Sequence, residues 1–177
     1  MAGLPDVLEH PPITLRRATP DAIGPLERAV TSSYLELRQW MVWAQSPPSE
    51  ADLATFLAEA DANFAADVAY EYLCYEGDDP EVVGGAGLRR IEGAFEIGYW
   101  VRSDRTGRGF ASAAARALTD VAFSSLDARR IEIHMDIANS ASRAVAERLG
   151  YRRDREEDHL EKALGNSGRG YVYVTQR

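Results

Sequence analysis

One stretch constrains this chain more than any other: residues 99–112, Y-W-V-R-S-D-R-T-G-R-G-F-A-S. It reads as the end of a strand, a short polar turn, and a glycine-spaced entry into an alanine-rich helix. Gly107 and Gly109 carry no Cβ, so the backbone can bend tightly there and bring successive N–H groups close to a ligand. The helix that follows offers unpaired N–H groups and the positive end of its dipole, which together suit a phosphate or pyrophosphate. A plain strand-to-helix turn with two glycines has the same local sequence, so the surroundings decide.

Read in order, residues 1–12 form a short, acidic, proline-bearing arm and residues 13–177 a single domain. A strand at 13–18 turns at Thr19-Pro20-Asp21 into a helix with Ile23, Leu26, Ala29 and Val30 at helical spacing, ending or bending before Trp40-Met41-Val42-Trp43. The two tryptophans suit either core filling or an aromatic wall beside a substrate entrance. Ser49 and Asp52 open a second helix with a Leu53, Phe56, Leu57, Ala60 stripe, ending near Phe64. Three consecutive strands follow, at 68–75, 81–90 and 94–102, an antiparallel meander. Gly84, Gly85 and Gly87 leave the middle one bare, which predicts a bulge or a close backbone approach.

Beyond the glycine turn, residues 109–126 predict a helix packed through Ala111, Ala114, Ala115, Leu118, Val121, Ala122 and Leu126. Residues 130–137 alternate, with Ile131, Ile133, Met135 and Ile137 on one face and Glu132, His134 and Asp136 on the other. Asn139 and Ser140 cap a short helix that Gly150 ends, Tyr151 leads into a charged run at 152–158, and residues 171–175 make a last strand. The order β-α-α-β-β-β-α-β-α-β-β places an antiparallel front half before a β-α-β crossover centred on the glycine turn. The fold class is therefore α/β in the α+β sense, a mixed, mostly antiparallel twisted sheet of six to seven strands flanked by about four helices.

Composition narrows the chemistry. A net charge of −8 argues against non-specific nucleic-acid binding and is compatible with a cationic substrate such as an amine or a basic peptide. No apolar run is long enough to span a membrane. Cys74 stands alone, which excludes an intrachain disulfide and favours a cytoplasmic setting, and it sits in an apolar segment as a small hydrophobe would. His10, His134 and His159 are scattered, with no metal-ligand spacing, so no metal is expected. No Gly-Lys-Ser/Thr follows the glycines, which disfavours a P-loop hydrolase.

Three segments in order, E-I-G-Y-W-V (96–101), T-G-R-G-F-A-S (106–112) and N-S-A-S-R-A-V-A-E-R-L-G-Y (139–151), resemble the GNAT acyltransferase superfamily, in particular its RimJ/RimL-like N-acetyltransferase branch. The resemblance implies a single-domain GNAT fold and acetyl-CoA (coenzyme A) as co-substrate. It implies that Arg108, Gly109, Phe110, Ala111 and Ser112 cradle the pyrophosphate, with Gly107 shaping the approach and Thr106 departing from the Arg or Gln of the superfamily motif. It places pantetheine along Trp100 and Val101, with Asn139 and Arg143 on the far side of the coenzyme. Homodimers are common in that branch, so a homodimer is a further expectation.

The implied reaction is direct attack of an amine on the acetyl thioester. It needs a neutral amine, stabilisation of the oxyanion, and a proton for the departing thiolate. Glu96 is the expected base, since strand alternation sets it on one face with Gly98 and Trp100; Glu92 and Asp136 are the fallbacks. A backbone N–H near Val101 would meet the oxyanion. Many superfamily members carry a proton-donating tyrosine where this chain has Ala146; RimL-like members use a serine three residues after the asparagine, here Ser142. The resulting expectation is an acetyl-CoA-dependent N-acetyltransferase acting on a primary amine, whether a protein N-terminus or a small molecule. The alternatives are a non-catalytic acyl-CoA-binding module and an enzyme using another acyl-CoA.

Overall fold

The computed structural model describes residues 3–158 and 163–177; His159 lies outside them. Eight strands form one sheet: β1 (Val7–His10), β2 (Ile13–Arg17), β3 (Ala69–Glu76), β4 (Val82–Ile91), β5 (Ala94–Val101), β6 (Arg130–Asp136), β7 (Arg152–Asp158) and β8 (Arg169–Gln176). Four helices flank it: α1 (Ile23–Trp40), α2 (Glu50–Ala65), α3 (Phe110–Ser125) and α4 (Ser140–Arg148). The sheet order is β1-β2-β3-β4-β5-β6-β8-β7, antiparallel at every junction except β5 with β6. The fold is thus the mixed α/β sheet expected, with one strand more than the upper figure. The extra strand is β1, in the stretch read as an arm, whose four residues pair in full with β2.

The helices divide between the two faces. α3 packs on β4 and β5, and its small side chains Ala113, Ala114, Ala117 and Ala122 let it lie close over Tyr72, Ala86, Leu88 and Ile97. α1 and α2 cover the opposite face through Leu26, Val30, Leu37, Leu53 and Leu57, against Leu73 and Tyr75 of β3. The α2 start is a capping box: Ser49 Oγ accepts from Asp52 N–H at 3.2 Å, and Asp52 Oδ2 accepts from Ser49 N–H at 2.9 Å. α1 runs through Trp40 itself, so Trp40 is the last helical residue rather than part of a following turn.

The bare strand has a steric cause. A Cβ at Gly85 would lie 2.6 Å from Trp100 Nε1, and one at Gly84 would run into the Trp100 carbonyl oxygen. One at Gly87 would meet the Glu71 carboxyl group, 2.6 Å from its Cδ. Gly84 therefore allows the close backbone approach expected, while Gly85 and Gly87 make room for side chains reaching across from β5 and β3. The charged run 152–158 is an edge strand, β7, held to β8 by a full antiparallel register with one irregularity at Arg153/Arg155. Its charges suit an exposed edge, where they discourage pairing with another chain.

Candidate active site

The parallel pairing of β5 with β6 covers only Phe95↔Ile131 and Glu96↔Glu132. Beyond those pairs the strands part, so the edge of β5 from Ile97 to Val101 has no strand partner on that side. The wedge opens into a cleft of about 1050 Å³ that passes from one face of the sheet to the other. Tyr99 and Val101 border it on the α3/α4 face, while Glu96, Gly98 and Trp100 border it on the α1/α2 face. Two molecules can therefore meet in it from opposite sides. An unpaired strand edge is also a ready partner for an extended ligand carrying amide groups.

On the α3 side the glycine turn leads into the helix at the edge of the cleft. Gly107 (φ 74°) and Gly109 (φ 81°) both adopt the left-handed conformation, and a Cβ at either would meet nothing within 4 Å. The first helical hydrogen bond of α3 runs from Ala113 N–H to Gly109 C=O at 2.9 Å. The N–H groups of Phe110, Ala111 and Ser112 are left unpaired at a helix N-terminus that opens on the cleft. Open space, free N–H groups and the dipole fit a pyrophosphate.

The side chains around the cradle depart from the expected set. Arg108 turns away from the cleft: its Nη1 donates to Glu76 Oε2 at 2.9 Å, and its guanidinium stacks over Phe110 at 5.0 Å. Arg105 Nη1 donates to the same carboxylate at 3.0 Å, so Glu76 of β3 pins the loop from both arginines. Any contribution of Arg108 to the cradle would come through its backbone. Arg143 also lies outside the cleft, partly exposed and 4.0 Å from Glu147. Arg148, absent from the expected set, stands on the cleft side of α4 instead. It lines the cleft, and its Nη1 donates to Ser112 Oγ at 2.9 Å, bringing a cation to the start of α3. No spacing in the sequence singles it out, because its partner Ser112 lies 36 residues away.

Asn139 caps α4, its Oδ1 accepting from Ser142 N–H at 3.0 Å, and it lines the cleft. That cap fixes Ser142 facing β5. Ser142 Oγ lies 2.9 Å from Tyr99 Oη, which also donates to the Ser142 carbonyl oxygen at 3.3 Å. Burial pushes the Tyr99 phenol up to about 12, with the Ser142 hydrogen bond opposing it, so both hydroxyls hold their protons at neutral pH. Ala146, at the position where the superfamily resemblance would put a tyrosine, is fully buried and carries no hydroxyl. Tyr99 is a functional candidate that the sequence reading missed; it belongs to β5 rather than to the last helix.

On the opposite face, Glu96 Oε2 accepts from Arg89 Nε at 3.1 Å and Nη2 at 2.7 Å, which leaves Oε1 free beside the cleft. The two residues are direct cross-strand partners. Of the fallback carboxylates, Glu92 lies exposed in the β4–β5 turn, outside the cleft, because alternation ends where the hairpin turns. Asp136 borders the cleft but is spent on structure. Its Oδ1 accepts from Ala138 N–H at 2.8 Å, and its Oδ2 from Ser167 N–H at 2.8 Å and Ser167 Oγ at 3.0 Å. Trp40 lines the acceptor side, and Trp43, 53% exposed, meets Trp100 edge-on at 6.3 Å. Neither Trp40 nor Trp43 is part of the buried core: Trp40 lines the cleft, and Trp43 reaches it only through Trp100. Cys74 is buried, and burial pushes its thiol up to about 12, so it is inert. Among the described residues no cluster of His, Cys, Asp and Glu could hold a metal ion, and no helix is long and apolar enough to cross a membrane.

A sheet split between two strands, with free helix N–H groups on one face and an open slot on the other, is the geometry an acyl-coenzyme A-dependent transferase requires. The family model of the acetyltransferase (GNAT) domain matches residues 13–152, and the chain belongs to that family. It is 31% identical over 148 residues to the "Putative ribosomal N-acetyltransferase YdaF" of Bacillus subtilis (strain 168), covering 82% of this chain and 79% of that protein. Among solved structures it is similar to RimL, a ribosomal L7/L12 alpha-N-protein acetyltransferase in complex with coenzyme A. That match has a TM-score of 0.87 at 23% identity and covers 96% of this chain and 97% of the other. RimJ of Mycobacterium smegmatis, in complex with a coenzyme A disulfide, matches with a TM-score of 0.83 at 22% identity, covering 96% and 85%. The protein is an N-acetyltransferase with acetyl-CoA as its co-substrate.

Proposed function

We propose that this N-acetyltransferase modifies the α-amino group of a protein N-terminus, and that the cytoplasm is where it meets that acceptor. The carrying observation is the through-sheet cleft, which sets Tyr99 and Ser142 on one face and Glu96 on the other. Its acceptor mouth is long and apolar, bordered by Trp40, Met41 and Val42 with Trp43 exposed beside it, a surface on which an extended peptide can lie. The relationship to the ribosomal N-acetyltransferase of Bacillus subtilis supports the same acceptor class.

In this reading the α3 N-terminus, with Arg148, holds the pyrophosphate of the donor, which supplies an activated acetyl thioester. The free edge of β5 orients the donor's amide groups. A backbone N–H near Val101 faces the developing oxyanion. Glu96 Oε1 holds the acceptor nitrogen, directly or through water, in line with the acetyl carbon. The Tyr99–Ser142 pair protonates the departing thiolate. A non-catalytic coenzyme-binding module gains no support from this site, because such a module has no use for a hydroxyl pair poised beside a cradle.

The test is thiol release with acetyl-CoA against a panel of free-amino-terminus hexapeptides and small amines, with products read by mass spectrometry. Acetylation confined to the peptide α-nitrogen is the expected result. Turnover on small amines alone would overturn the acceptor assignment.

A further inference from the structure

A second carboxylate lies on the acceptor face of the sheet, one strand back from the cleft wall, and the site as described does not use it. Glu71 of β3 lies opposite Gly87 of β4, which lies opposite Gly98 of β5. The three form one row on the α1/α2 face, running from the carboxylate to the cleft wall. The Glu71 side chain fills the space over Gly87 that a side chain on β4 would take. Over Gly98 the space is open, with nothing within 4 Å of where a Cβ would be. Neighbouring strands are about 4.8 Å apart, a gap that one water molecule bridges.

The adjoining rows close the lane on both sides. The Arg89–Glu96 pair flanks it on one side, and the Trp100 indole folds back over Gly85 on the other. Among the described residues, nothing donates a hydrogen bond to the Glu71 carboxylate, unlike Glu96, Glu132 and Asp136. The charged groups around it are few. β4 contributes Arg89, β5 contributes Glu96, and Arg16 of β2 is turned onto the Tyr75 ring. α1 and α2 cover the face with Leu37, Leu53 and Leu57, while Glu36 of α1 lines the cleft and Asp61 of α2 is bound to Arg17. Burial outweighs Arg89 and raises the Glu71 carboxyl to about 7.

We propose that Glu71 is the proton acceptor for the incoming ammonium, reached across the glycine lane over Gly98, while Glu96 positions the amine. The proposal rests on the reading of this cleft as an amine-acetylating site. One ammonium proton passes to the Glu71 carboxylate, leaving a neutral amine. Its lone pair forms the C–N bond to the acetyl carbonyl carbon, and the C–S bond breaks with its electron pair on sulfur. The thiolate takes a proton from the Tyr99–Ser142 pair, and the surplus proton on nitrogen replenishes that pair. Glu71 then gives its proton to solvent, so ammonium plus thioester yields amide, thiol and one proton. A group that changes state near neutrality is well matched to this task.

The experiment is a kcat/KM–pH profile from pH 5.5 to 9.5 for wild type, Glu71→Gln and Glu71→Asp, with acetyl-CoA and two acceptors, a free-amino-terminus hexapeptide pool and spermidine. Side-chain carboxyl NMR of glutamate-labelled protein accompanies it. The expected wild-type profile falls on the acid side near pH 7. Glu71→Gln loses about 10²-fold at pH 7, a deficit that shrinks above pH 9 as the acceptor deprotonates unaided. Glu71→Asp keeps the acid limb at a reduced rate. The NMR shows one glutamate titrating near neutrality that vanishes in Glu71→Gln. Turnover of spermidine but not peptides would overturn the N-terminal acceptor, and the spermidine profile would still decide on Glu71. An unchanged rate and limb in Glu71→Gln, or no glutamate titrating between pH 6 and 8, would overturn the proposal whether or not either acceptor turns over.

Discussion

Tyr99 Oη lies 2.9 Å from Ser142 Oγ, joining the free edge of β5 to the first turn of α4 across the mouth of the cleft. Asn139 holds Ser142 in place through the helix cap, and burial keeps the phenol protonated. If the pair delivers the thiolate's proton, the two hydroxyls act as a unit. Ser142→Ala and Tyr99→Phe should each lower kcat by about 10²-fold with little change in the dissociation constant for coenzyme A. The double variant should lose scarcely more than either single one. Single-turnover kinetics with titration calorimetry for coenzyme A makes the measurement. Fully additive losses would show that the hydroxyls act separately.

Gly109 carries the left-handed turn that aims α3 at the cleft. Its φ of 81° costs a side-chain-bearing residue about 1–2 kcal/mol, although open space surrounds the position. Gly109→Ala should therefore lower the melting temperature by a few degrees and weaken coenzyme A binding about tenfold as the N–H groups of the first turn rotate away. Thermal unfolding with and without coenzyme A checks both effects. Unchanged affinity in a destabilised variant would separate the turn from the cradle.

Arg148 places its charge beside that cradle without contributing to the core. Arg148→Ala should raise the coenzyme A dissociation constant about five- to tenfold at low salt, with the difference shrinking in high salt. At saturating acetyl-CoA kcat should be unchanged. The same substitution at Arg143, turned toward Glu147, should have no measurable effect on binding. Equal losses at both positions would mean that the field of α4 as a whole matters, not the contact with Ser112.

Local pattern carried most of the fold. Alternation in β6, the Ser49–Asp52 box and the glycine spacing at Gly107 and Gly109 each dictate their own structure within a few residues. The four-residue β1 escaped the sequence because a strand so short gains its order from pairing with β2. β7 offers charges on both faces and so no alternation to read. At the site, the cradle was legible because it is made of backbone. The partners of Tyr99, Arg148 and Glu71 were not. Tyr99 meets Ser142 across 43 residues and Arg148 meets Ser112 across 36, and only the splay of β5 from β6 decides that these pairs share a cleft.

Glu132 of β6 is tied across β8 to Arg155 of β7 and should dominate acid stability. Burial would raise its carboxyl, but hydrogen bonds from Arg155, Arg130 and His134 prevail and hold it at about 2. Its contribution is present in full above the unfolded value of about 4.5 and is lost as pH falls toward 2, amounting to something on the order of 2 kcal/mol. Glu132→Gln should thus destabilise the protein at pH 7 and flatten the stability–pH curve between pH 5 and 2. Urea unfolding across that range gives the answer. A variant curve parallel to wild type would assign the acid sensitivity to other carboxylates.

Glu71 predicts the opposite sign. Its carboxyl is raised to about 7 by burial, so ionising it in the folded protein costs stability. Below pH 4.5 the group is neutral in both states and has no effect. As pH rises from 4.5 through 7 the unfolded chain ionises first, and the penalty grows to about 1–3 kcal/mol. Glu71→Gln, which keeps the shape and removes the charge, should match wild type near pH 4 and exceed it in stability at pH 8. Activity at pH 7 should fall in the same variant. A gain in stability together with a loss of turnover is what a functional buried charge produces and a structural one does not. Urea midpoints at pH 4 and pH 8, set beside thiol release at pH 7, test both halves. A variant less stable at pH 8 would show that the carboxylate is held by favourable contacts and is not free to exchange its proton.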